Sequence, residues 1–172
     1  MQSNKQHFWY IAYSVFFLLL AFVLLLSLNK ARGSLPTSVS AFDLTLIILA
    51  TFRVTRLFVY DKITFFLRDM LQHAEETYTR EGVTYTKKVE RREGALLVAY
   101  ELLTCPWCFS IWAALFISYS YFLSVDIFWL PIFILAVSGF ATLLQIIANM
   151  FGWIAETKKL EAKSKSVDMS NV

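Results

Sequence analysis

The sequence predicts an all-α membrane protein with four transmembrane helices, and two observations support this fold class. The first is composition: 58% of the 172 residues are hydrophobic and 17% are charged, whereas a soluble domain has about 25% charged residues. The second is a set of four long apolar segments, at about residues 8–28, 41–60, 106–125 and 128–153. The length fits a single membrane domain, residues 1–172. A net charge of +3 does not favour nucleic acid as a partner.

The first apolar segment, residues 8–28, is an uncharged run of 21 residues. A helix rises about 1.5 Å per residue, so this run can cross about 30 Å of hydrocarbon. A cleaved signal peptide is the alternative. Its apolar core would be about 7–15 residues long and would precede a small-residue cleavage site. No Ala-x-Ala sequence follows the run, so we expect an uncleaved transmembrane helix.

The distribution of basic residues predicts the orientation of the four spans. Residues 61–100 form the only sizeable connection, and a short link near Asp126 makes the last two spans a helical hairpin. With four spans, one side of the membrane holds 12 Lys and Arg residues, including those of the polar C-terminal tail 156–172, and the other side holds 2. Because the basic side faces the cytoplasm, we expect a bacterial inner-membrane protein with both termini cytoplasmic.

The connection at residues 61–100 has its own predicted structure. Its first half spaces apolar residues as an amphipathic helix does, lying either on the inner membrane surface or against the protein's own bundle. Thr, Tyr and Val then alternate around Glu81 and Gly82, which predicts a small β-hairpin. An isolated hairpin is marginally stable in water, so a neighbouring subunit could support it. Residues 95–104 are apolar and predict a short helix leading into the third span.

The same connection could dock a cytosolic protein partner through a cluster of basic residues. Seven acids accompany its seven bases, so an ordinary solvated surface is the alternative interpretation. The residues predicted for docking are Arg80, Lys87, Lys88, Arg91 and Arg92.

Arg53 and Arg56 are the most unusual residues of the second span, because three-residue spacing places them on one helix face. An arginine deep in lipid costs at least about 2.5 kcal/mol and normally finds a partner. We expect Glu101 to pair with Arg53 or Arg56, with Asp61 as the other nearby acid. The pair could lock two helices together, or the guanidinium groups could line an anion path or bind lipid phosphate. Arg56 could also extend to the headgroups.

The motif Cys-Pro-Trp-Cys opens the third span. Pro106 suits the first turn of a helix, and the helix dipole lowers the thiol pKa of a cysteine at the N-cap, here Cys105. The motif could be a structural helix start, a redox switch with Cys108, or part of a metal site. Such a site could be completed by His73 or by the cysteine pair of a second subunit. Two cysteines alone do not complete a tetrahedral zinc site, so we predict no cofactor and leave the metal open.

Gln145 and Asn149 lie four residues apart on one face of the fourth span. Amides in lipid form hydrogen bonds across helices, which predicts a helix or subunit contact in a homo-oligomer, with a permeation path as the alternative. The sequence has no Gly-rich phosphate loop, no His-Glu-x-x-His and no assignable Ser/His/Asp set. We therefore do not predict an enzyme.

Two stretches together resemble a family of small bacterial membrane proteins described only as a domain of unknown function. They are RVTRLFVYDKIT and ELLTCPWCFSIWAA, with an Arg-x-Thr-Arg-Leu helix followed by a Leu-Thr-Cys-Pro-x-Cys helix start. The resemblance covers about residues 41–150, and the chain departs from it in the first span and around residues 76–93. It implies a fold but no activity. The family's signature positions would be Arg53, Thr55, Arg56, Asp61, Glu101, Cys105, Pro106 and Cys108.

Three functional hypotheses follow from these residues. The first is an oligomeric protein in the lipid bilayer that forms or gates a pore, as an ion channel does, and acts as an effector or sensor with a cytosolic partner. The second is a non-conducting scaffold or assembly subunit. The third is a thiol- or metal-dependent membrane enzyme that uses Cys105 and Cys108.

Overall fold

The computed structural model describes residues 4–34, 36, 38–80, 83–91 and 93–170. Within them, side-chain environments are described except at 4, 5, 75, 77–80, 83–85 and 162–170. A 3-10 turn occupies Lys62–Thr64. The other elements, in chain order, are α1 (Asn4–Arg32), α2 (Ala41–Val59), α3 (Phe65–Gln72), β1 (His73–Arg80), β2 (Val83–Glu90), α4 (Ala95–Thr104), α5 (Pro106–Leu123) and α6 (Val125–Ser170).

Helices α1, α5 and α6 identify a membrane protein. Three segments of the described residues are long and apolar enough to cross a bilayer: Gln6–Arg32, Pro106–Leu123 and Val125–Glu161. Most of their large apolar side chains are exposed, as they would be against lipid. Helix α2 has 19 residues but carries Asp43, Arg53 and Arg56, so it is not among the three, and a fourth span stays a prediction.

Helix α2 nevertheless lies at the centre of the packing. The buried cluster joins Leu46, Ile47 and Ala50 of α2 to Tyr121 of α5 and to α6, which contributes Ile132 and Ala136. Gly139 of α6 permits this contact, because a Cβ at that position would overlap the carbonyl oxygen of Leu49. The charged side chains of α2 are therefore on a helix with two protein neighbours.

The helical hairpin predicted for the last two spans is confirmed, since Ser124 alone separates α5 from α6. Helix α6 is longer than the predicted span 128–153. Its 46 residues extend about 70 Å at 1.5 Å per residue, more than twice the thickness of bilayer hydrocarbon. The helix continues into the predicted tail because that part of the sequence is rich in Lys, Glu, Ala and Leu, which favour helix.

The predicted β-hairpin is confirmed and is longer than the alternation indicated. Strands β1 and β2 pair antiparallel from His73 with Glu90 to Arg80 with Val83. The predicted turn residues Glu81 and Gly82 lie outside the described residues. The hairpin begins where α3 ends, and its base is closed by the Arg91 N–H, which donates to the Gln72 carbonyl at 2.9 Å.

The amphipathic helix is shorter than predicted because residues 73–76 belong to β1. Its apolar residues have two environments. Leu67 and Leu71 are half-buried, and α3 packs against α4. Ile63, Phe66 and Met70, at helical spacing, are exposed. One side of α3 therefore packs on the protein, and the exposed apolar side is the one that could lie on the membrane surface. The predicted short helix at 95–104 is confirmed as α4.

Candidate functional site

The polar centre of the molecule lies where α2 ends. Arg53 Nη1 donates to Asp61 Oδ2 at 2.9 Å, and the two side chains are 22% and 29% exposed. The predicted pairing of Arg53 or Arg56 with Glu101 is therefore wrong. The chain turns after Tyr60, which returns Asp61 to the face of α2 that carries Arg53. The carboxylate of Glu101 instead accepts a hydrogen bond from the hydroxyl of Tyr10, which joins α4 to α1.

Two residues that the sequence did not point to cap the end of α2. The last carbonyl groups of a helix have no partner inside the helix. Here Thr64 Oγ1 donates to the Leu57 carbonyl at 2.6 Å, and Arg68 Nη1 donates to the Phe58 carbonyl at 2.7 Å. Arg68 also donates to the Asp61 carbonyl at 2.8 Å. In the sequence, Arg68 lies on the polar face of the predicted amphipathic helix. No motif indicates that its side chain contacts the end of α2.

Arg56 has a different environment from Arg53. Its guanidinium carbon lies 5.5 Å from the centroid of the Tyr60 ring, a cation–π distance. The side chain lines a groove of about 540 Å³ between α2 and the start of α5. The two arginines thus have separate partners.

The cysteine pair forms the second polar cluster. Cys105 is the N-cap of α5, and its sulfur accepts the Cys108 backbone N–H at 3.4 Å. The two thiols are within hydrogen-bond distance, with 2.9 Å between the sulfurs. The contact with the Cys108 thiol, which can donate to a Cys105 thiolate, and then the bond from the Cys108 backbone N–H lower the pKa of the Cys105 thiol. The Cys105 thiol is therefore more acidic than an ordinary thiol, because Cys105 is at the N-cap and has these hydrogen bonds.

The described residues do not support the metal alternative. They contain no group of three or more His, Cys, Asp and Glu side chains placed to hold a metal ion. His73, the proposed further ligand, lies 3.0 Å from Asp69.

The asymmetry of the thiols has a measurable consequence. We expect iodoacetamide to modify Cys105 faster than Cys108, and the rate to reach half its maximum below about pH 8.5, the ordinary thiol pKa. Cys108→Ala removes the strongest donor to the Cys105 sulfur, so it should move that midpoint to higher pH. Peptide mass spectrometry of the alkylated protein measures both rates. Equal rates at the two cysteines would contradict the asymmetry.

Three of the basic residues predicted for docking have described surroundings, and these differ from one residue to the next. Lys88 donates to Asp69 at 3.1 Å, which lowers the pKa of that carboxyl group. Lys87 is paired in register with Glu76. Arg91 has a buried Nε. Arg92 and the Arg80 side chain lie outside what the structure describes.

Gln145 and Asn149 lie together on the outer surface of α6. The Gln145 amide donates to Asn149 Oδ1 at 2.9 Å, and both side chains are exposed. The predicted shared face is confirmed. Within the described chain this bond connects one turn of α6 to the next and joins no second helix.

The part of the chain that contains the Arg53 and Cys105 clusters is similar to known proteins. A family model described as "Protein of unknown function (DUF1360)" matches residues 46–148. The UPF0713 protein YngL of Bacillus subtilis is 32% identical over 100 residues, which cover 58% of this chain and 73% of YngL. The sporulation protein YjcA of Bacillus subtilis is 28% identical over 118 residues, covering 69% of this chain and 98% of YjcA. No solved structure matches.

Proposed function

Because the chain belongs to the DUF1360 family, for which no function is described, we propose a function from its own residues. The protein is a membrane assembly subunit that forms a homo-oligomer through α6 and presents its β-hairpin to a protein outside the membrane. The family membership agrees with the resemblance to a family of unknown function. The match begins at residue 46, after α1.

The observation that carries this proposal is the exposed amide pair on α6. Gln145 and Asn149 lie within the apolar segment Val125–Glu161, where unpaired amide groups would face hydrocarbon. Each amide has two N–H donors and one carbonyl acceptor, and their mutual bond uses one donor and one acceptor. The remaining groups can bond to the same residues of a second copy, since a two-fold interface brings identical patches together. Such bonds in lipid contribute about 0.6–2 kcal/mol each.

The arginines support an assembly role over a conducting one. Arg53 is paired with Asp61, so the charge nearest the centre of α2 is neutralised inside one subunit and does not need an ion path. A pore remains the second candidate, because an oligomer could place the Gln145 and Asn149 amides along a water-filled path. Both an assembly subunit and a pore could act as an effector or a sensor.

The proposal includes four membrane spans with both termini in the cytoplasm. Helix α2 is about 28 Å long at 1.5 Å per residue and packs between α5 and α6, which supports its crossing the membrane as a fourth span. The 12 basic residues on one side against 2 on the other support cytoplasmic termini in an inner membrane. Tags at the two ends that report from opposite sides of the bilayer would contradict this arrangement.

One relative bears the name sporulation protein, and we include sporulation in the proposal as the cellular setting. The partner of the hairpin is a cytosolic protein. The exposed Lys87 of β2 offers that partner a polar contact.

Replacing the amide pair tests the assembly proposal. We expect Gln145→Leu with Asn149→Leu to lower the mass of the purified protein in detergent to that of one chain, because the inter-subunit hydrogen bonds are lost. Light scattering coupled to size exclusion measures the mass. Thr142→Val is the matched control, since the Thr142 hydroxyl already donates to the Ser138 carbonyl at 2.8 Å and its loss should leave the oligomer intact.

Two results decide between the candidates. A wild-type protein that is monomeric, or a double variant with the wild-type mass, would contradict assembly through α6. Current across a planar bilayer that is present for wild type and absent for the double variant would favour the pore over the scaffold.

A further inference from the structure

We infer that the groove between α2 and α5 binds an anionic phospholipid, with the phosphate on Arg56 and an acyl chain extending along the groove past Thr51. This inference does not depend on the assembly proposal. It follows from four features of the groove: its shape, the state of Arg56, a buried hydroxyl and an aromatic rim.

The shape of the groove suits a lipid. Its volume is about 540 Å³, within the range of about 300–1,000 Å³ found for sites that hold small organic ligands. On α2 it extends from Ile48 to Tyr60, about 18 Å along the helix axis. Phe52 and Ile48 make one end apolar, and Arg56 makes the other end cationic. A ligand that fills both ends has an anionic head and a hydrocarbon chain.

The charge of Arg56 is available for an anion. Arg53, one turn away, has a carboxylate oxygen 2.9 Å from its guanidinium. Arg56 has no carboxylate within ion-pair distance among the described residues, and its guanidinium lies over the face of the Tyr60 ring. The Arg56 guanidinium donates no hydrogen bond to another described residue, so its N–H groups can donate to a ligand. Arginine binds a phosphate with two parallel N–H···O bonds.

A buried hydroxyl on the groove wall lacks a partner. Thr51 Oγ1 is buried and makes no hydrogen bond in the described chain, although Thr51 lines the groove. A buried polar group without a partner is destabilising. Thr51 lies about 7.5 Å from Arg56 along the helix axis, toward the apolar end. Rotation of the Thr51 side chain would turn its hydroxyl into the groove, where it could donate a hydrogen bond to the glycerol ester carbonyl of a lipid whose phosphate is on Arg56.

The rim of the groove carries the residue types that concentrate near lipid headgroups. Trp107 is 82% exposed and Tyr60 is 58% exposed, and both line the groove. Trp and Tyr concentrate at membrane–water interfaces. This rim, together with the apolar wall, favours a phospholipid over a free phosphate ion as the source of the anion.

The test is lipid binding to the purified full chain after delipidation, followed by native mass spectrometry. Both lipids carry a phosphate, but the choline cation of phosphatidylcholine already neutralises it, so we expect phosphatidylglycerol, which has a net negative charge, to bind about tenfold more tightly. Arg56→Gln should reduce phosphatidylglycerol affinity about tenfold, to the phosphatidylcholine level. Lys62→Gln makes the same charge change at an exposed position just past α2 and should have no effect.

A second variant separates binding from folding. Ser110→Trp leaves Arg56 in place but fills the groove beside it, so it should also abolish the preference for phosphatidylglycerol. Three results would overturn the assignment. They are equal binding of the two lipids to wild type, an Arg56→Gln protein that keeps the preference, and displacement of the lipid by millimolar inorganic phosphate.

Discussion

Gly139→Ala is expected to destabilise the protein, although alanine is the better helix former. In an open helix the change would gain about 1 kcal/mol. At Gly139 the new Cβ would overlap the carbonyl oxygen of Leu49 and lie 3.3 Å from Arg53 Cβ. A backbone carbonyl cannot rotate away as a flexible side chain can, so α2 and α6 must separate. Overpacking costs about 1–3 kcal/mol; after the helix-propensity gain of about 1 kcal/mol, we expect a net loss of up to about 2 kcal/mol, measured by thermal unfolding in detergent.

The same helix provides the matched control. A methyl group added at Gly152 would have no neighbouring atom within 4 Å, so Gly152→Ala should be neutral or stabilising by up to about 1 kcal/mol. Gly139→Val should be worse than Gly139→Ala, because it adds two further carbons at the closest approach of two helices. If Gly139→Ala unfolded at the same temperature as Gly152→Ala, the close contact of α2 with α6 would be contradicted.

Local features of the fold could be predicted because their causes are local. The apolar segments indicated α1, α5 and α6, alternation around residues 81–82 indicated the hairpin, and Cys-Pro-Trp-Cys indicated the N-cap of α5. The end of α3 could not be predicted in the same way. Residues 73–76 (His-Ala-Glu-Glu) favour a helix by local propensity, and only their pairing with residues 87–90 makes them a strand.

The partners in the candidate site could not be predicted because they depend on how helices rotate. Glu101 and Asp61 were both near Arg53 in the predicted topology. Choosing between them requires knowing that α4 turns Glu101 toward Tyr10 of α1. The Arg68 contact with the end of α2 likewise depends on a chain reversal at the 3-10 turn. Sequence spacing identified the arginines as unusual, and tertiary packing determined their roles.

The Arg53–Asp61 ion pair should be a main source of stability at the end of α2. Asp61→Asn removes the charge partner of Arg53 and leaves a guanidinium that is 22% exposed on a membrane-length helix. Fully buried pairs cost about 3–5 kcal/mol to break and exposed pairs about 0–1 kcal/mol. The partial exposure of both groups places the expected loss at about 1–3 kcal/mol, between these two limits. Thermal unfolding of the single variants measures it.

A double-mutant cycle shows whether the loss comes from this pair. Arg53→Gln with Asp61→Asn removes both charges, so the double variant should be more stable than the sum of the single losses predicts, by about 1–2 kcal/mol. Glu101→Gln in the Arg53→Gln background is the control. Because Glu101 bonds to Tyr10, those two changes should be additive. Coupling of Arg53 to Glu101 and not to Asp61 would mean that the two helix ends are arranged as the sequence alone predicted, and that the turn after Tyr60 does not place Asp61 on α2.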